Sequence, residues 1–292
     1  MNAGNASPRV TIIVATYNSE RDIDACLESV CCQTFRDLEI WVVDGASKDG
    51  TLEKIRERAA RDPRIHWLSE KDRGVYDAMN KGVTRAKGAW VFFLGSDDRL
   101  ANEHVLAEMS PHLDAAACDF VHADIVWRND GWGRDGQAYG GELSTAEILE
   151  KNYCHQAIFY ARTIFDRFGG YNLDYRVLAD WEFNLRVFAK VRKKYVNQVV
   201  ADVFGGGLSQ SVSDYAFDRD FVKLASSALG LLPKSPAFRN RNNKIKQTFK
   251  AHFRARRFKQ GWRYLKIWLA DEDPAVFRAI LFRRFGAKRS EG

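Results

Sequence analysis

Apolar residues follow two alternating rhythms along the first third of the chain. Val10-Thr-Ile-Ile-Val-Ala15, Leu38-Glu-Ile-Trp-Val-Val43, Arg64-Ile-His-Trp-Leu68 and Ala89-Trp-Val-Phe-Phe-Leu94 are short apolar runs rich in β-branched and aromatic residues, the composition of strands. Nearly continuous apolar character, rather than strict alternation, marks strands covered on both faces. Between these runs the spacing becomes helical. Ile23, Cys26, Leu27, Val30 and Cys31 share one face behind Ser19 and Asp22, which resemble a capping box. Leu52, Ile55 and Ala59 form the inward face of a second helix opened by Asp49-Gly50, with Ser47 and Asp49 as its cap. Tyr76 to Ala86 supplies a third helix and Asn102–Leu113 a fourth. The order βαβαβαβ predicts an α/β fold with a mainly parallel sheet, right-handed crossovers and helices on both faces.

Ligands of such sheets bind beyond the carboxyl ends of the strands. Those ends carry Thr16-Tyr17-Asn18, Asp44-Gly45-Ala46-Ser47-Lys48-Asp49-Gly50, Glu70-Lys71-Asp72-Arg73-Gly74 and Ser96-Asp97-Asp98, four polar clusters on one edge. A dinucleotide site is disfavoured, because the first turn lacks GxGxxG and the loops offer carboxylates where a pyrophosphate wants amides. Asp97 and Asp98 repel each other, a cost offset by a bound divalent cation or by sugar hydroxyls. Mg²⁺ or Mn²⁺ held there would bridge a diphosphate and offset its charge. Asp44 and Asp72 offer acceptor oxygens to a nucleobase imide or a ribose, although Asp-Gly and Asp-Arg-Gly are also ordinary turn formers. Downstream, Asp180 opens a helical pattern where the dipole favours an acid, and Glu182 follows two positions later. The two are candidates for a general base, since inverting glycosyl transfer needs one carboxylate to take the acceptor's proton. His155-Gln156 lies between the Asp pair and Asp180, and His155 is a candidate to line an acceptor pocket. Gly205–Ser209 is a stretch whose backbone could close over a diphosphate, and the five glycines within Arg128–Gly141 suggest a mobile acceptor-side loop.

The 292 residues, 46% hydrophobic and 13% aromatic, exclude disorder and allow a sizeable core. No apolar run approaches the roughly 18–20 residues of a membrane span, and the first residues carry no signal-peptide pattern. Five cysteines without a CxxC suggest neither a disulfide framework nor a zinc knuckle, and Cys26 and Cys31, on a helical stretch, read as buried small hydrophobes. The expected setting is a reducing cytoplasm. Charge divides the chain: residues 234–292 hold 17 Lys and Arg against 4 Asp and Glu, whereas the preceding 233 hold 28 against 34. This predicts an acidic body over 1–233 and a basic extension over 234–292, with Pro233-Lys234-Ser235-Pro236 as the seam.

Five separated motifs carry a resemblance. Ala15-Thr16-Tyr17-Asn18, Asp44 to Thr51, Glu70 to Gly82, Phe93 to Asp98 and Ala179-Asp180-Trp181-Glu182 are similar, in order and spacing, to those of family 2 glycosyltransferases of the GT-A fold. The likeness spans roughly residues 8–210 and is nearest to the bacterial cell-surface polysaccharide branch of the colanic-acid kind. It implies a GT-A nucleotide-binding sandwich and a metal-dependent inverting transferase, with a nucleotide-diphosphate sugar as donor, UDP being the nucleotide. Thr16 and Asp44 would hold the nucleobase, Asp72 would lie beside the nucleoside, and Asp97 and Asp98 would bind ribose, metal (Mn²⁺ or Mg²⁺) and diphosphate. Asp180 matches the catalytic base. Two positions depart from the family: Ala179 replaces a glutamate, leaving Glu182 as a further candidate base, and Gly95 stands where many members carry the first metal-motif aspartate.

The extension interleaves Lys and Arg with aromatic residues. Phe258, Trp262, Leu265 and Leu269 keep helical spacing, and Asp273-Pro274 opens a last helix bearing Phe277, Ile280 and Leu281. Basic amphipathic helices with aromatic anchors suit an anionic membrane surface. Residues 246–292 would then hold the enzyme on the inner face of the cytoplasmic membrane, near a lipid-linked glycan acceptor. Packing of the same stripes on the body is the competing reading. Two alternative functions stay open: a nucleic-acid-binding protein using this tail, which leaves the acidic loops without a purpose, and an inactive sugar-nucleotide-binding relative.

Overall fold

The computed structural model describes residues 7–131, 133–206, 214–231, 236–255 and 257–271. The chain forms two compact units, Met1–Glu142 with Tyr153–Ser213, and Leu143–Asn152 with Asp214–Gly292. The division falls ahead of the Pro-rich seam, whose residues 233–235 lie outside the described residues.

The first unit begins as its periodicity predicts. Strands β1 (Val10–Thr16), β2 (Leu38–Asp44), β3 (Ile65–Ser69) and β4 (Trp90–Gly95) alternate with helices α1 (Ile23–Cys31), α2 (Thr51–Arg61) and α3 (Val75–Val83). All four strands run parallel in the order β3-β2-β1-β4. Every residue of β1 is buried, as the unbroken apolar run required. The expected fourth helix is shorter: α4 spans Val105–Met109 and tightens into a 3-10 turn at Ser110–His112, where Pro111 leaves no amide to continue it.

Register then lines up the polar ends. Thr16 pairs with Asp44, Asp44 with Ser69 and Ala15 with Gly95, so every strand reaches the same edge at its first polar loop. The chain order reverses between β1 and β4, which opens a crevice there.

The rest of the sheet is mixed. Beyond β4 lie β8 (Ile158–Ala161), β6 (Phe120–Arg128), β9 (Lys193–Phe204) and β5 (Arg99–Leu100), while β7 (Ala138–Tyr139) pairs with β6. Strand β8 is antiparallel to both β4 and β6, and β9 runs parallel to β6. The start of β8 and the end of β9 therefore meet the carboxyl edge of β4. β6 and β7 pair antiparallel, Ile125 with Tyr139 and Val126 with Ala138, and among the described residues of the glycine-rich stretch between them the Arg134 guanidinium lies 3.9 Å from the centre of the Trp127 ring.

The core is continuous through this sheet, with Ile12, Val14, Ile40, Val42, Phe92, Leu94, Val121 and Phe159 fully buried; each such side chain contributes roughly 1.5–3 kcal/mol. Helices α5 (Thr163–Phe168) and α6 (Ala179–Phe188) add an aromatic cluster. Tyr171 lies 5.2 Å from Tyr76, 5.2 Å from Phe183 and 5.4 Å from Phe93. That packing makes a rigid seat for the first turns of α3 and α6.

The second unit is helical: α7 (Tyr215–Leu229), α8 (Arg239–Arg254) and α9 (Phe258–Asp271), with a 3-10 turn at Glu147–Leu149. Asp214 caps α7 by accepting from the Phe217 amide, and Gly230 closes it at φ 67°. Ile245, Tyr264, Ile267 and Trp268 form its buried cluster, with Tyr215, Phe249 and Leu265 packed against them. On α9 Phe258 and Trp262 are about half exposed, while Tyr264, Ile267 and Trp268 take the face toward Ile245 and Phe249. The helix predicted from Asp273 lies outside the described residues.

Candidate functional site

Each strand end contributes one side chain to a common edge. Thr16 is buried, and its Oγ1 has no hydrogen-bond partner among the described residues. Beside it Asp44, 1% exposed, accepts from the Ser47 amide at 3.1 Å, from the Ser47 hydroxyl and from Ser69 Oγ at 2.6 Å. Ser47 therefore braces Asp44 instead of capping α2. Asp49 does serve α2, accepting from the Thr51 amide at 3.1 Å. Asp72 folds over Gly45: a Cβ there would stand 2.5 Å from Asp72 Oδ2. Ala46, at φ 62°, holds the loop in a left-handed conformation uncommon for alanine.

Gly95 explains its departure from the family pattern. A Cβ would lie 2.4 Å from Asp98 Oδ2 and 2.8 Å from Asp97 Oδ1, so in this arrangement both carboxylates fold back over the bare backbone at the end of β4. Asp98 is 2% exposed, and accepts from Gln156 Nε2 at 2.7 Å and from the Phe204 amide at 2.9 Å. Burial, then the charge of Asp97, pushes the Asp98 carboxyl up to about 7. Burial also raises Asp97, with Asp22 adding repulsion. No Lys or Arg among the described residues pairs with either carboxylate. Two adjacent carboxylates without a Lys or Arg partner favour a cation, and they are the donors a hard divalent ion takes. The described residues contain no group of three His, Cys, Asp or Glu able to hold a metal; further ligands would come from solvent or substrate.

Asp180 sits in the first turn of α6. Its Oδ1 lies 2.8 Å from Tyr76 Oη and 2.9 Å from the Trp181 amide, and its Oδ2 lies 3.4 Å from His155 Nδ1. Burial and the neighbouring Asp180 carboxylate push the Tyr76 hydroxyl well above its ordinary range, which keeps it a donor. Glu182 is not brought to this group. Residues two apart on a helix face different ways, and Glu182 makes a two-pronged pair with Arg186 at 2.8 and 2.9 Å. Arg186 also donates to the carbonyls of Phe168 and Gly170, so this pair, its carboxylate buried and its guanidinium partly exposed, fastens α6 to the preceding turn.

Sequence reasoning missed Tyr76, Ser69 and the Phe204 amide. Tyr76 carried a signal, being a polar-tipped aromatic in the first turn after β3; the Phe204 amide carried none, because any residue offers one. Of the glycine-rich stretch, 207–209 lie outside the described residues. The five cysteines are free; Cys26 is buried as expected, whereas Cys31 is only partly buried.

Residues 11–206 match the sequence model of glycosyl transferase family 2. A relative named PGL/p-HBAD biosynthesis glycosyltransferase, from Mycobacterium tuberculosis and Mycobacterium bovis, is 39% identical over 218 residues, covering 73% of this chain and 83% of its own. Among solved structures, S. aureus TarS 1–349 in complex with UDP-GlcNAc aligns with a TM-score of 0.61 at 20% identity, covering 74% of this chain and 66% of that one. Mannosyltransferase PcManGT from Pyrobaculum calidifontis, in complex with GDP-Man and Mn²⁺, aligns with a TM-score of 0.58 at 20% identity, covering 97% and 81%. These likenesses show a shared fold.

Proposed function

The chain belongs to glycosyl transferase family 2, and from that premise we propose that it transfers a sugar from a UDP-sugar to a hydroxyl of a lipid-linked glycan acceptor, inverting the anomeric centre. The observation that carries this reading is the approach of two carboxylates that lack a Lys or Arg partner among the described residues, Asp98 buried and Asp97 half-buried at the end of β4, to a third held by Tyr76 and His155. Asp180 takes the proton of the acceptor hydroxyl as its oxygen bonds to the anomeric carbon and the bond to the diphosphate breaks. Thr16 and Asp44 hold the nucleobase, Asp72 borders the nucleoside, and Asp97 and Asp98 face ribose and diphosphate. Asp97 and Asp98 would hold Mn²⁺ or Mg²⁺, which would supply charge neutralisation for the departing diphosphate.

Thermal unfolding with UDP, GDP, dTDP and their sugars, with and without Mn²⁺, tests the reading. One nucleotide sugar is expected to stabilise the protein only with metal, by about 2.7 kcal/mol at a hundredfold excess over Kd. No response to any of them, together with salt-sensitive RNA binding, would favour the nucleic-acid alternative.

No helix among the described residues is long and apolar enough to cross a membrane. The half-exposed Phe258 and Trp262 on α9, amid Lys259, Arg263 and Lys266, support attachment to an anionic membrane surface. Deleting 246–292 would also remove Tyr264, Ile267 and Trp268 from the buried cluster, so Phe258→Ser with Trp262→Ser is the sharper test. The double variant should bind anionic liposomes less while transfer to a soluble acceptor persists. Undiminished binding would exclude this face.

A further inference from the structure

A single turn reaches both groups of carboxylates. The 3-10 turn His155–Ala157 immediately precedes β8, and the antiparallel course of β8 delivers it to the carboxyl edge of β4. From this turn His155 Nδ1 stands 3.4 Å from Asp180 Oδ2, while the adjacent Gln156 donates from Nε2 to Asp98 Oδ2 at 2.7 Å. The Gln156 amide has one orientation, because its Oε1 accepts the Cys154 thiol at 2.8 Å. His155 and Gln156 are 19% exposed in the side chain and 8% exposed overall, respectively, so neither swings freely. On the far side of Asp180, Tyr76 Oη lies 2.8 Å from the carboxylate and 2.9 Å from the Val177 carbonyl. The ring of Tyr76 is itself packed 5.2 Å from Tyr171.

We propose that His155 is a positioning residue for Asp180 and that the His155-Gln156 turn fixes Asp180 relative to Asp98. The proposal rests on the reading of Asp180 as the base. His155 and Tyr76 grip the carboxylate from two sides, and Gln156 ties the same turn to the carboxylate that faces the diphosphate. The distance between proton acceptor and leaving group is then set by one short, covalently continuous piece of backbone. Misplacing a catalytic group by about 1 Å costs on the order of a hundredfold in rate, so this connection has a measurable consequence. It differs from the acceptor-lining role that the sequence suggests for His155, because a residue acting through Asp180 changes turnover and not acceptor affinity.

The test uses the full-length protein, with transfer followed by release of the nucleotide diphosphate. His155→Ala is expected to lower kcat by about 10- to 100-fold with the acceptor KM and the stabilisation by nucleotide sugar unchanged. His155→Asn, whose amide nitrogen occupies the place of Nδ1, is expected to recover most of that loss, which separates positioning from misfolding. In an Asp180→Asn background, His155→Ala is expected to cost nothing further, since the two act as a unit. Wild-type kcat in His155→Ala, or a raised acceptor KM at unchanged kcat, would overturn the positioning role, as would a full additional loss in the double variant. Failure of the underlying reading has a different signature: Asp180→Asn alone would then turn over like the wild type.

Discussion

Asp180→Asn is expected to reduce kcat for sugar transfer by about 10²–10⁴-fold, the range a positioned general base contributes. The substitution is nearly isosteric, and the amide oxygen can still accept from Tyr76 Oη and the Trp181 amide, which now stand 2.8 and 2.9 Å from Oδ1. What disappears is the ability to take a proton at neutral pH. Donor binding should survive, because Asp180 is on α6 whereas the proposed nucleotide contacts are at the ends of β1 and β2 and in the loops after β3 and β4. Stabilisation by nucleotide sugar should therefore match the wild type while product formation slows, a loss confined to the transition state. Near-wild-type turnover would remove the base role from Asp180. Glu182 is a poor inheritor of that role, since both its oxygens are engaged by Arg186.

Replacing Asp97 and Asp98 together by alanine should abolish the metal-dependent part of nucleotide-sugar binding and reduce transfer to the background rate. Removal of these two carboxylates leaves nothing at the end of β4 to hold a divalent ion against a diphosphate. Metal-dependent stabilisation that persisted in the double variant would place the ion elsewhere. The single variant Asp98→Asn adds a pH-dependent readout in metal-free protein. Burial and Asp97 raise the Asp98 carboxyl from 3.8 to about 7, so the folded state binds this proton more tightly than the unfolded state does. Stability from this group is present below the unfolded value and is lost as pH rises through about 7. Asp98→Asn should accordingly raise the Tm of chelator-treated protein at pH 8 and change it little at pH 4. An unchanged or lowered Tm at pH 8 would mean that the buried charge is already compensated. The expected gain is the mark of a charge kept at a cost in stability for the sake of a ligand.

The two halves of the first unit were unequally legible. In β1, β2 and β4, continuous apolar runs gave parallel strands covered on both faces, and those runs end where register later aligns Thr16 with Asp44 and Ala15 with Gly95. Such information is local, because burial on both faces and helical periodicity are written in neighbouring residues. The short strands β5, β7 and β8 have too few residues to show a period. Their directions depend on partners far along the chain. The α9 stripe illustrates the same limit: helical spacing alone allowed Phe258 and Trp262 to be the buried face, and packing against Ile245 and Phe249 selected Tyr264, Ile267 and Trp268 instead.

The sequence by itself determined the α/β alternation of the first hundred residues, the polar loops at one sheet edge and the family, because these depend on short-range patterns and on the order of motifs. Only the tertiary structure decided which carboxylates meet. It folded Asp97 and Asp98 over Gly95, left Glu182 to Arg186 while Asp180 faces Tyr76 and His155, and used the antiparallel run of β8 to bring His155 and Gln156 between Asp180 and Asp98. The physical reason is reach. A hydrogen bond acts over about 3 Å, and strand pairing together with helix packing brings residues dozens of positions apart within that distance.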